Sequence, residues 1–360
     1  MTMRERMLGV VQGRAHDRVP FVQYSGLAAP DKEVWSMIGR DNMGLLAWTG
    51  IHRVETPNCR VVREDFARNG RQGFRRTLHT PEGTLFEERL IEPTYGTSSA
   101  HVHFVKAPED YRVLMAYLRD MRVTQDLDAL RAAVRALGDD GLPHVALPRT
   151  PYQQLWVEWV SLSDLGVHLG LYPDLMEEVT SLMFEVQREV FRVACDAVAG
   201  GAPVPYLDFG DNITAPAIGP DYFRKYCVAS YDELAQMLAD TGRDIPIFVH
   251  MDGELKPLQR AIALSAVRGI DSFAPLPDND NDLGEAAAAW PEMRFLVNFP
   301  SSVHLAEPDA IRRQTEQLLA EAGHTGRLQI QISENVPPGI WRGSFPQIVQ
   351  AIRDFGAPDR

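Results

Sequence analysis

Polar side chains that could do acid–base chemistry or bind a metal follow three apolar stretches of strand length. Asp211 and Asn212 follow the first stretch, His250 and Asp252 the second, and Glu334 the third. Carboxylates and imidazoles transfer protons in enzymes, and both groups also bind divalent cations. If these stretches are neighbouring strands, their ends predict one site built from distant parts of the chain.

The local patterns allow a functional and a structural interpretation at each place. His250 and Asp252 are two positions apart at a strand end, so their side chains point to the same side, about 6–7 Å apart along the backbone. They could share a cation, or Asp252 could orient the imidazole. Asp211 or Asn212 could instead cap a helix, and Glu334 could be an exposed loop carboxylate.

The elements that must position these residues alternate along the chain. Apolar runs of strand length alternate with amphipathic stretches of helical period, which predicts βα units and a parallel sheet. The predicted strands cover 18–24, 143–148, 203–210, 245–250, 269–276, 294–300 and 327–333, with an eighth after Leu45. We therefore predict a single-domain (β/α)8 TIM barrel over 1–360. A doubly wound open sheet is the alternative, but no Gly-x-Gly-x-x-Gly follows the first strand.

Residues 30–110 are predicted to be an insertion that forms a flap over one barrel mouth. Apolar and polar residues alternate on both sides of Thr80-Pro81-Glu82-Gly83, which is typical of a β-hairpin. The fold class is thus α/β, a barrel with an N-terminal β-hairpin insertion. In such barrels the carboxyl ends of the strands carry the active site.

Side chains that could line a small-molecule site occur near two further strand ends. Tyr152, Gln153 and Trp156 follow the second predicted strand, and Asn298 ends another. Aromatic and amide groups are common in ligand pockets. Core packing explains the tryptophan equally well, so substrate binding by these four residues is a prediction with a structural alternative.

Composition and charge disfavour several classes of function. The net charge of −13 and pI of about 5.3 disfavour nucleic acid as a partner. Three widely spaced cysteines predict neither a disulfide framework nor a Cys-x-x-Cys metal site. No apolar run has the length of a signal peptide or a membrane span, so we expect a cytoplasmic protein without membrane contact. A homodimer through helical faces is compatible with this picture.

Taken in order, several segments resemble the uroporphyrinogen decarboxylase superfamily, in particular its corrinoid-dependent methyltransferases. The segments are 16–20, 80–84, 105–111, 208–212, 219–223 and 249–253. The resemblance implies a (β/α)8 barrel with its site at the carboxyl-terminal mouth. The decarboxylases carry an arginine-rich segment near the N-terminus, whereas residues 23–27 here contain no arginine. Porphyrinogen decarboxylation is therefore disfavoured.

The resemblance also implies a metal. In the methyltransferases a His-x-Cys pair and a distant Cys hold zinc, and the matching positions here are His250, Asp252 and Glu334. Two carboxylates keep the charge of two thiolates but suit a wider choice of divalent metals. Zinc is the metal we expect first. A corrinoid would arrive on a partner protein, because no His-rich cobalamin-binding module is visible in the chain.

Three functions remain open. The first is metal-assisted methyl transfer between a small methylated compound or a methyl-corrinoid and an acceptor, with Asp211 and Asn212 orienting the ligand. The second is a metal-free lyase or decarboxylase in which His250 is the general acid and Asp211 stabilises positive charge. The third is a non-catalytic ligand-binding barrel.

Overall fold

The computed structural model of the protein describes residues 1–357, which form fourteen strands and thirteen α-helices. The strands are β1 (Phe21–Tyr24), β2 (Gly44–Thr49), β3 (His52–Glu55), β4 (Arg60–Arg68), β5 (Arg71–Thr80), β6 (Gly83–Ile91), β7 (Ser98–Val102), β8 (Arg122–Gln125), β9 (Gly141–Leu147), β10 (Leu207–Phe209), β11 (Ile247–Val249), β12 (Gly269–Phe273), β13 (Arg294–Asn298) and β14 (Leu328–Ile332).

The helices alternate with the barrel strands through most of the chain. They are α1 (Met3–Gln12), α2 (Asp31–Ile38), α3 (Tyr111–Asp120), α4 (Asp128–Leu137), α5 (Pro151–Gln154), α6 (Leu162–Leu171), α7 (Pro173–Ala199), α8 (Ala215–Tyr222), α9 (Ala229–Ala239), α10 (Gln259–Leu264), α11 (Leu283–Ala289), α12 (Pro308–Ala322) and α13 (Trp341–Phe355). Within residues 1–357, no helix is both long and apolar enough to cross a bilayer.

Eight parallel strands close into a barrel in the order β1-β14-β13-β12-β11-β10-β9-β2, and β2 pairs with β1 to complete the ring. The predicted TIM-barrel fold is confirmed. The eighth strand expected after Leu45 is β2, which lies inside the stretch that we assigned to the insertion. That boundary was wrong, because residues 31–49 supply helix α2 and a barrel strand.

The barrel interior is apolar where helix α1 packs against it. A capping box starts this helix, since Thr2 accepts from the Glu5 N–H and Glu5 accepts from the Thr2 N–H. Buried side chains of α1 and of the strands form one cluster: Met3, Met7, Val10, Val11, Val22, Tyr24, Leu46, Leu142, Tyr206, Phe248 and Leu296. Phe248 pairs in register with Asp208, and Leu296 with Asp271, so polar side chains border this apolar cluster.

The chain divides into two compact units. The barrel unit comprises 1–51, 126–147 and 195–360, and its last described residue is 357. The second unit comprises 52–125 and 148–194. In the second unit β4–β7 form an antiparallel sheet. The predicted hairpin is confirmed, because Thr80 pairs with Gly83 around a two-residue turn between β5 and β6. The flap role and the single-domain description of 1–360 stay predictions.

Candidate functional site

Three buried titratable residues meet inside the barrel. His144 lies on β9, Asp208 on β10 and Asp271 on β12, and each is at most 1% exposed. His144 Nε2 is 3.1 Å from Asp208 Oδ2, and His144 Nδ1 is 3.4 Å from Asp271 Oδ2. We call these three residues the buried cluster. Two carboxylates therefore flank one imidazole in a water-poor environment.

Polar neighbours from other strands fix the buried cluster. The Tyr24 hydroxyl donates to Asp271 Oδ2 over 2.6 Å, and Gln331 Nε2 donates to Asp271 Oδ1. The Tyr206 hydroxyl lies 3.0 Å from His144 Nδ1. Hydrogen bonds to both oxygens of Asp271 hold this carboxyl in one orientation, which a site with a defined chemical role requires.

Burial dominates the protonation of the cluster. Burial, aided by the charge of His250 and opposed by that of Asp271, lowers the pKa of His144 to about 4. Burial also raises the pKa of Asp208 and of Asp271. The charge of Asp208 adds to the shift of Asp271, and the charge of His250 opposes both shifts. The cluster therefore disfavours two bare carboxylates, and a bound cation would relieve this.

Trp48 on β2 is an exposed aromatic ring beside the cluster. It pairs in register with His144, so both side chains point to the same face of the sheet. One indole face stacks on Tyr24 with 4.8 Å between ring centroids, and the His144 ring lies 4.1 Å away. Trp48 is nevertheless 60% exposed. The barrel is thus open to a ligand at this position.

His250 and Asp252 form a second polar group just past β11. His250 Nε2 lies 3.3 Å from Asp252 Oδ2, and the two side chains are 26% and 31% exposed. The backbone N–H of Ser272 donates to His250 Nδ1 over 3.1 Å. A nitrogen that accepts a backbone N–H carries no proton, so the proton of the neutral ring lies on Nε2 and points to Asp252.

Burial and the neighbouring carboxylates act in opposite directions on the pKa of His250. Burial disfavours its charged form, but the hydrogen bond and charge of Asp252, with the charges of Asp271 and Asp208, raise its pKa to about 9. Protonation at Nδ1 would cost the hydrogen bond from Ser272. In the neutral form and in the charged form alike, Nε2 carries a proton directed at Asp252.

The turn after β11 has little freedom. A Cβ on Gly253 would lie 2.1 Å from the Thr214 Cβ, so only glycine fits. The side-chain amide of Asn279 donates to the Asp252 carbonyl over 2.6 Å, and that of Asn281 donates to the Gly253 carbonyl over 3.0 Å. Close packing and two amide contacts therefore fix the position of Asp252.

Asp211 and Asn212, predicted to orient the ligand, follow β10. Asp211 is fully buried and accepts a hydrogen bond from the Tyr231 hydroxyl over 2.6 Å. Asn212 is half-buried. A buried carboxylate that holds a tyrosine fits a structural anchor better than a ligand contact, so the catalytic role of both residues stays a prediction.

Glu334 and Asn298 each contact a serine. Glu334 Oε2 accepts from the Ser301 hydroxyl over 2.8 Å. The Asn298 side-chain oxygen accepts from the backbone N–H and the hydroxyl of Ser333, both over 3.0 Å. Asn298 thus joins the ends of β13 and β14. Its predicted contact with substrate remains untested.

The other three predicted substrate contacts lie in the second unit. Tyr152 and Gln153 are buried at 4% and 0% exposure, and Trp156 is half-buried. The Trp156 indole N–H donates to Gln153 Oε1 over 2.7 Å. This packing matches the structural alternative for Trp156, and substrate binding by the three residues stays a prediction.

The structure does not gather the predicted metal ligands. Among the described residues 1–357, the buried cluster is the one group of three His, Cys, Asp or Glu residues whose ligand atoms all lie within 4.8 Å of one another. His250, Asp252 and Glu334 do not form such a group. Moreover, a metal at His250 Nε2 needs a lone pair there, whereas the Ser272 N–H places a proton on Nε2. His250 does not fit a metal ligand in this arrangement.

Sequence reasoning missed most of the buried cluster and Trp48. His144 and Asp271 each lie inside an apolar run rather than at its end. The available signal was a lone ionisable residue in a strand otherwise buried on both faces, because burying such a group is costly without a partner. Asp208 lies inside the predicted strand 203–210 and entered only as part of the segment 208–212 that resembles the family.

Cys59 and Cys195 are poor nucleophiles, because their thiols are hard to ionise. Burial raises the pKa of Cys59 and of Cys195 to about 11, and nearby aspartates add to both shifts. At pH 8 about one thiol in a thousand is then ionised. We expect both to react with a disulfide reagent about 100-fold more slowly than free cysteine, as measured by labelling and peptide mapping. Rapid labelling of either cysteine in the folded protein would contradict this.

Similarity to solved structures covers the whole fold. A methyltransferase from Methanosarcina mazei aligns over 99% of both chains, with a TM-score of 0.56 and 13% identity. A B12-independent methionine synthase from Shewanella sp. W3-18-1, solved with selenomethionine, aligns over 84% of this chain and 75% of its own, with a TM-score of 0.41 and 11% identity. At 13% identity the likeness to the Methanosarcina mazei structure shows the fold alone. A search of curated proteins by sequence finds no match.

The sequence pattern of one family extends over much of the barrel unit. The uroporphyrinogen decarboxylase (URO-D) family matches residues 169–355, just over half of the chain. The matched region includes β10 to β14, and hence Asp208, His250, Asp252 and Asp271. The chain belongs to the uroporphyrinogen decarboxylase family.

Proposed function

We propose that the chain is a methyltransferase that demethylates a small cationic compound at the mouth of the barrel. The observation that supports this most is the exposed Trp48 ring beside the buried cluster. The charged groups that act most strongly on the cluster are acids and His250. The face of an exposed aromatic ring attracts methylated ammonium or sulfonium groups by cation–π interaction.

Asp252 is the base in this proposal. As the methyl group moves, the bond from its carbon to the donor nitrogen or sulfur breaks, and both electrons stay on that atom. A lone pair of the acceptor forms the new bond to the methyl carbon. When the acceptor is a thiol, its proton goes to the Asp252 carboxylate, which the Nε2–H of His250 holds at 3.3 Å. A reduced corrinoid has no such proton to lose. His250 thus positions the base, and its own basic nitrogen faces Ser272.

The acceptor is a thiol or a corrinoid carried by a partner protein. A corrinoid, when bound, supplies a cobalt that can carry the methyl group. This partner is an inference from the resemblance and goes beyond what the fold alone shows.

The test uses donors with a ¹³C-labelled methyl group, namely a quaternary ammonium, a sulfonium and a methoxy compound of similar size. Each is incubated with the protein and either a small thiol or a reduced corrinoid, and the label is followed by NMR. We expect label to move from a cationic donor to an acceptor. Label that stays on all three donors under both conditions would refute the proposal.

Trp48 provides a check on donor recognition. Cation–π attraction is worth about 1–2 kcal/mol at a partly desolvated site, which corresponds to about 5–30-fold in binding. We therefore expect Trp48→Ala to raise KM for a cationic donor by about that factor, and Trp48→Phe to raise it less. The control is a neutral isostere of the donor, whose inhibition constant should change less than threefold. Equal losses for both ligands would argue against cation recognition.

A decarboxylase is the second candidate, and the raised pKa of His250 favours it. A histidine with a pKa of about 9 is protonated at neutral pH and could act as a general acid through Nε2–H. Asp211 would not stabilise charge on the substrate, because it is fully buried against Tyr231. Release of labelled CO₂ from a carboxylated substrate, without transfer of methyl label, would select this candidate.

A further inference from the structure

Two polar atoms of the buried cluster lack a hydrogen-bond partner. Among the described residues, His144 Nε2 and Asp208 Oδ1 are both buried and unpaired. His144 Nε2 is close to Asp208 Oδ2, at 3.1 Å, but the pair does not have hydrogen-bond geometry. Buried polar atoms are almost always paired. A partner other than the neighbouring protein groups, such as a bound ion, would satisfy both atoms.

The orientation of the His144 ring indicates what that partner is. Three oxygens surround Nδ1. The Tyr206 hydroxyl lies at 3.0 Å, and the Tyr24 hydroxyl and Asp271 Oδ2 each lie at 3.4 Å. A proton on Nδ1 can be donated to this group, which leaves a lone pair on Nε2. Histidines that bind metals have this arrangement, with the other ring nitrogen donating to an oxygen.

The spacing of the ligand atoms suits a small divalent cation. Nitrogen and oxygen ligands at about 2.0–2.2 Å from a four-coordinate ion lie about 3.4 Å from one another. One ligand atom from each member of the buried cluster lies within 4.8 Å of the others, and His144 Nε2 and Asp208 Oδ2 are 3.1 Å apart. Two carboxylates also balance the charge of one divalent ion.

We infer that His144, Asp208 and Asp271 bind a divalent metal ion inside the barrel, with Asp271 fixed by Tyr24 and Gln331. One nitrogen and two oxygen ligands suit Zn²⁺, Mn²⁺ or Fe²⁺ better than a soft ion such as Cu⁺. This site differs from the set His250, Asp252 and Glu334 that the family resemblance implies. It goes beyond the proposed function and does not rest on it.

The first experiment measures binding of Co²⁺ to the full chain after removal of metals with a chelator. We expect about one Co²⁺ per chain, displaced by Zn²⁺, and a higher melting temperature in Zn²⁺ because an ion that binds only the folded state stabilises it. A chain that binds no Co²⁺, and whose melting temperature does not respond to Zn²⁺ or Mn²⁺, overturns the inference.

Trp48 reports where the ion binds without perturbing its ligands. The Trp48 and His144 ring centroids are 4.1 Å apart, so a bound Co²⁺ should quench the fluorescence of this tryptophan. We expect the quenching to be largely lost in Trp48→Phe while the Co²⁺ stoichiometry stays the same. Quenching that is unchanged in Trp48→Phe would place the ion elsewhere and overturn the site.

Variants of single ligands distinguish the two sets. Asp208→Asn should weaken Co²⁺ binding by at least about 100-fold, since loss of a group that merely hydrogen-bonds to a ligand already costs about 10–100-fold, and Glu334→Gln should leave it within threefold. Asp278→Asn is the matched control, because Asp278 is exposed and lies outside the cluster. Circular dichroism verifies that each variant folds. Loss of binding in Glu334→Gln with retention in Asp208→Asn would overturn the inference.

Discussion

Replacing Asp252 by Asn is expected to lower kcat for methyl transfer by about 10²–10⁴-fold, the usual contribution of a general base. The amide keeps the shape of the side chain but cannot accept the acceptor's proton. Because Asp252 is 31% exposed and its backbone is held by Asn279, the melting temperature should change by only a few degrees. Transfer of the labelled methyl group to a small thiol, with donor and thiol both saturating, measures kcat directly.

The matched control is Glu254→Gln, which removes a carboxylate two residues further along the same turn. Glu254 is exposed, so we expect kcat within twofold of wild type. If Asp252→Asn and Glu254→Gln had the same small effect, Asp252 would not be the base. A loss confined to KM would show that Asp252 binds the ligand and does not take part in the proton transfer.

Gly253→Ala should reduce activity as strongly while also destabilising the fold. The new Cβ would lie 2.1 Å from the Thr214 Cβ and 2.7 Å from the Ile213 carbonyl oxygen. Relief of this overlap must shift backbone, which costs about 1–3 kcal/mol. A displacement of about 1 Å in a catalytic group can cost about 10²-fold in rate. We expect kcat to fall by about that factor as the turn moves Asp252.

Gly210→Ala is the control for Gly253→Ala, because it adds the same methyl group after another barrel strand. The nearest atom to a Cβ on Gly210 is the Leu147 carbonyl oxygen at 3.9 Å, an ordinary contact. Urea unfolding should show a change below about 1 kcal/mol for Gly210→Ala. Equal stability and activity of the two variants would show that the turn after β11 tolerates a side chain.

Much of the fold could be predicted from the sequence. Strands buried on both faces are continuous apolar runs, and amphipathic helices between them require parallel pairing, so the barrel follows from local patterns. The hairpin turn at 80–83 was also predicted from its neighbouring residues. The strand β2 was harder to place, because it lies inside the stretch that the hairpin pattern assigned to an insertion.

The site was predicted only in part, because its members come together through barrel closure. The His250–Asp252 pair was visible, since two residues at strand spacing determine their own geometry. The buried cluster was not, because His144, Asp208 and Asp271 are more than 60 residues apart in sequence and look like ordinary members of apolar strands. Their contact requires that the side chains of β9, β10 and β12 point into the same barrel interior.

The sequence by itself determined the parallel barrel, the hairpin and the pairing of His250 with Asp252, since each depends on neighbouring residues. Only the tertiary structure decided which acids share an interior and which nitrogen of His250 carries the proton. The backbone N–H of Ser272, which belongs to the next strand, sets that proton. The physical reason is that hydrogen bonds and charges act over a few ångströms of space, whatever the distance along the chain.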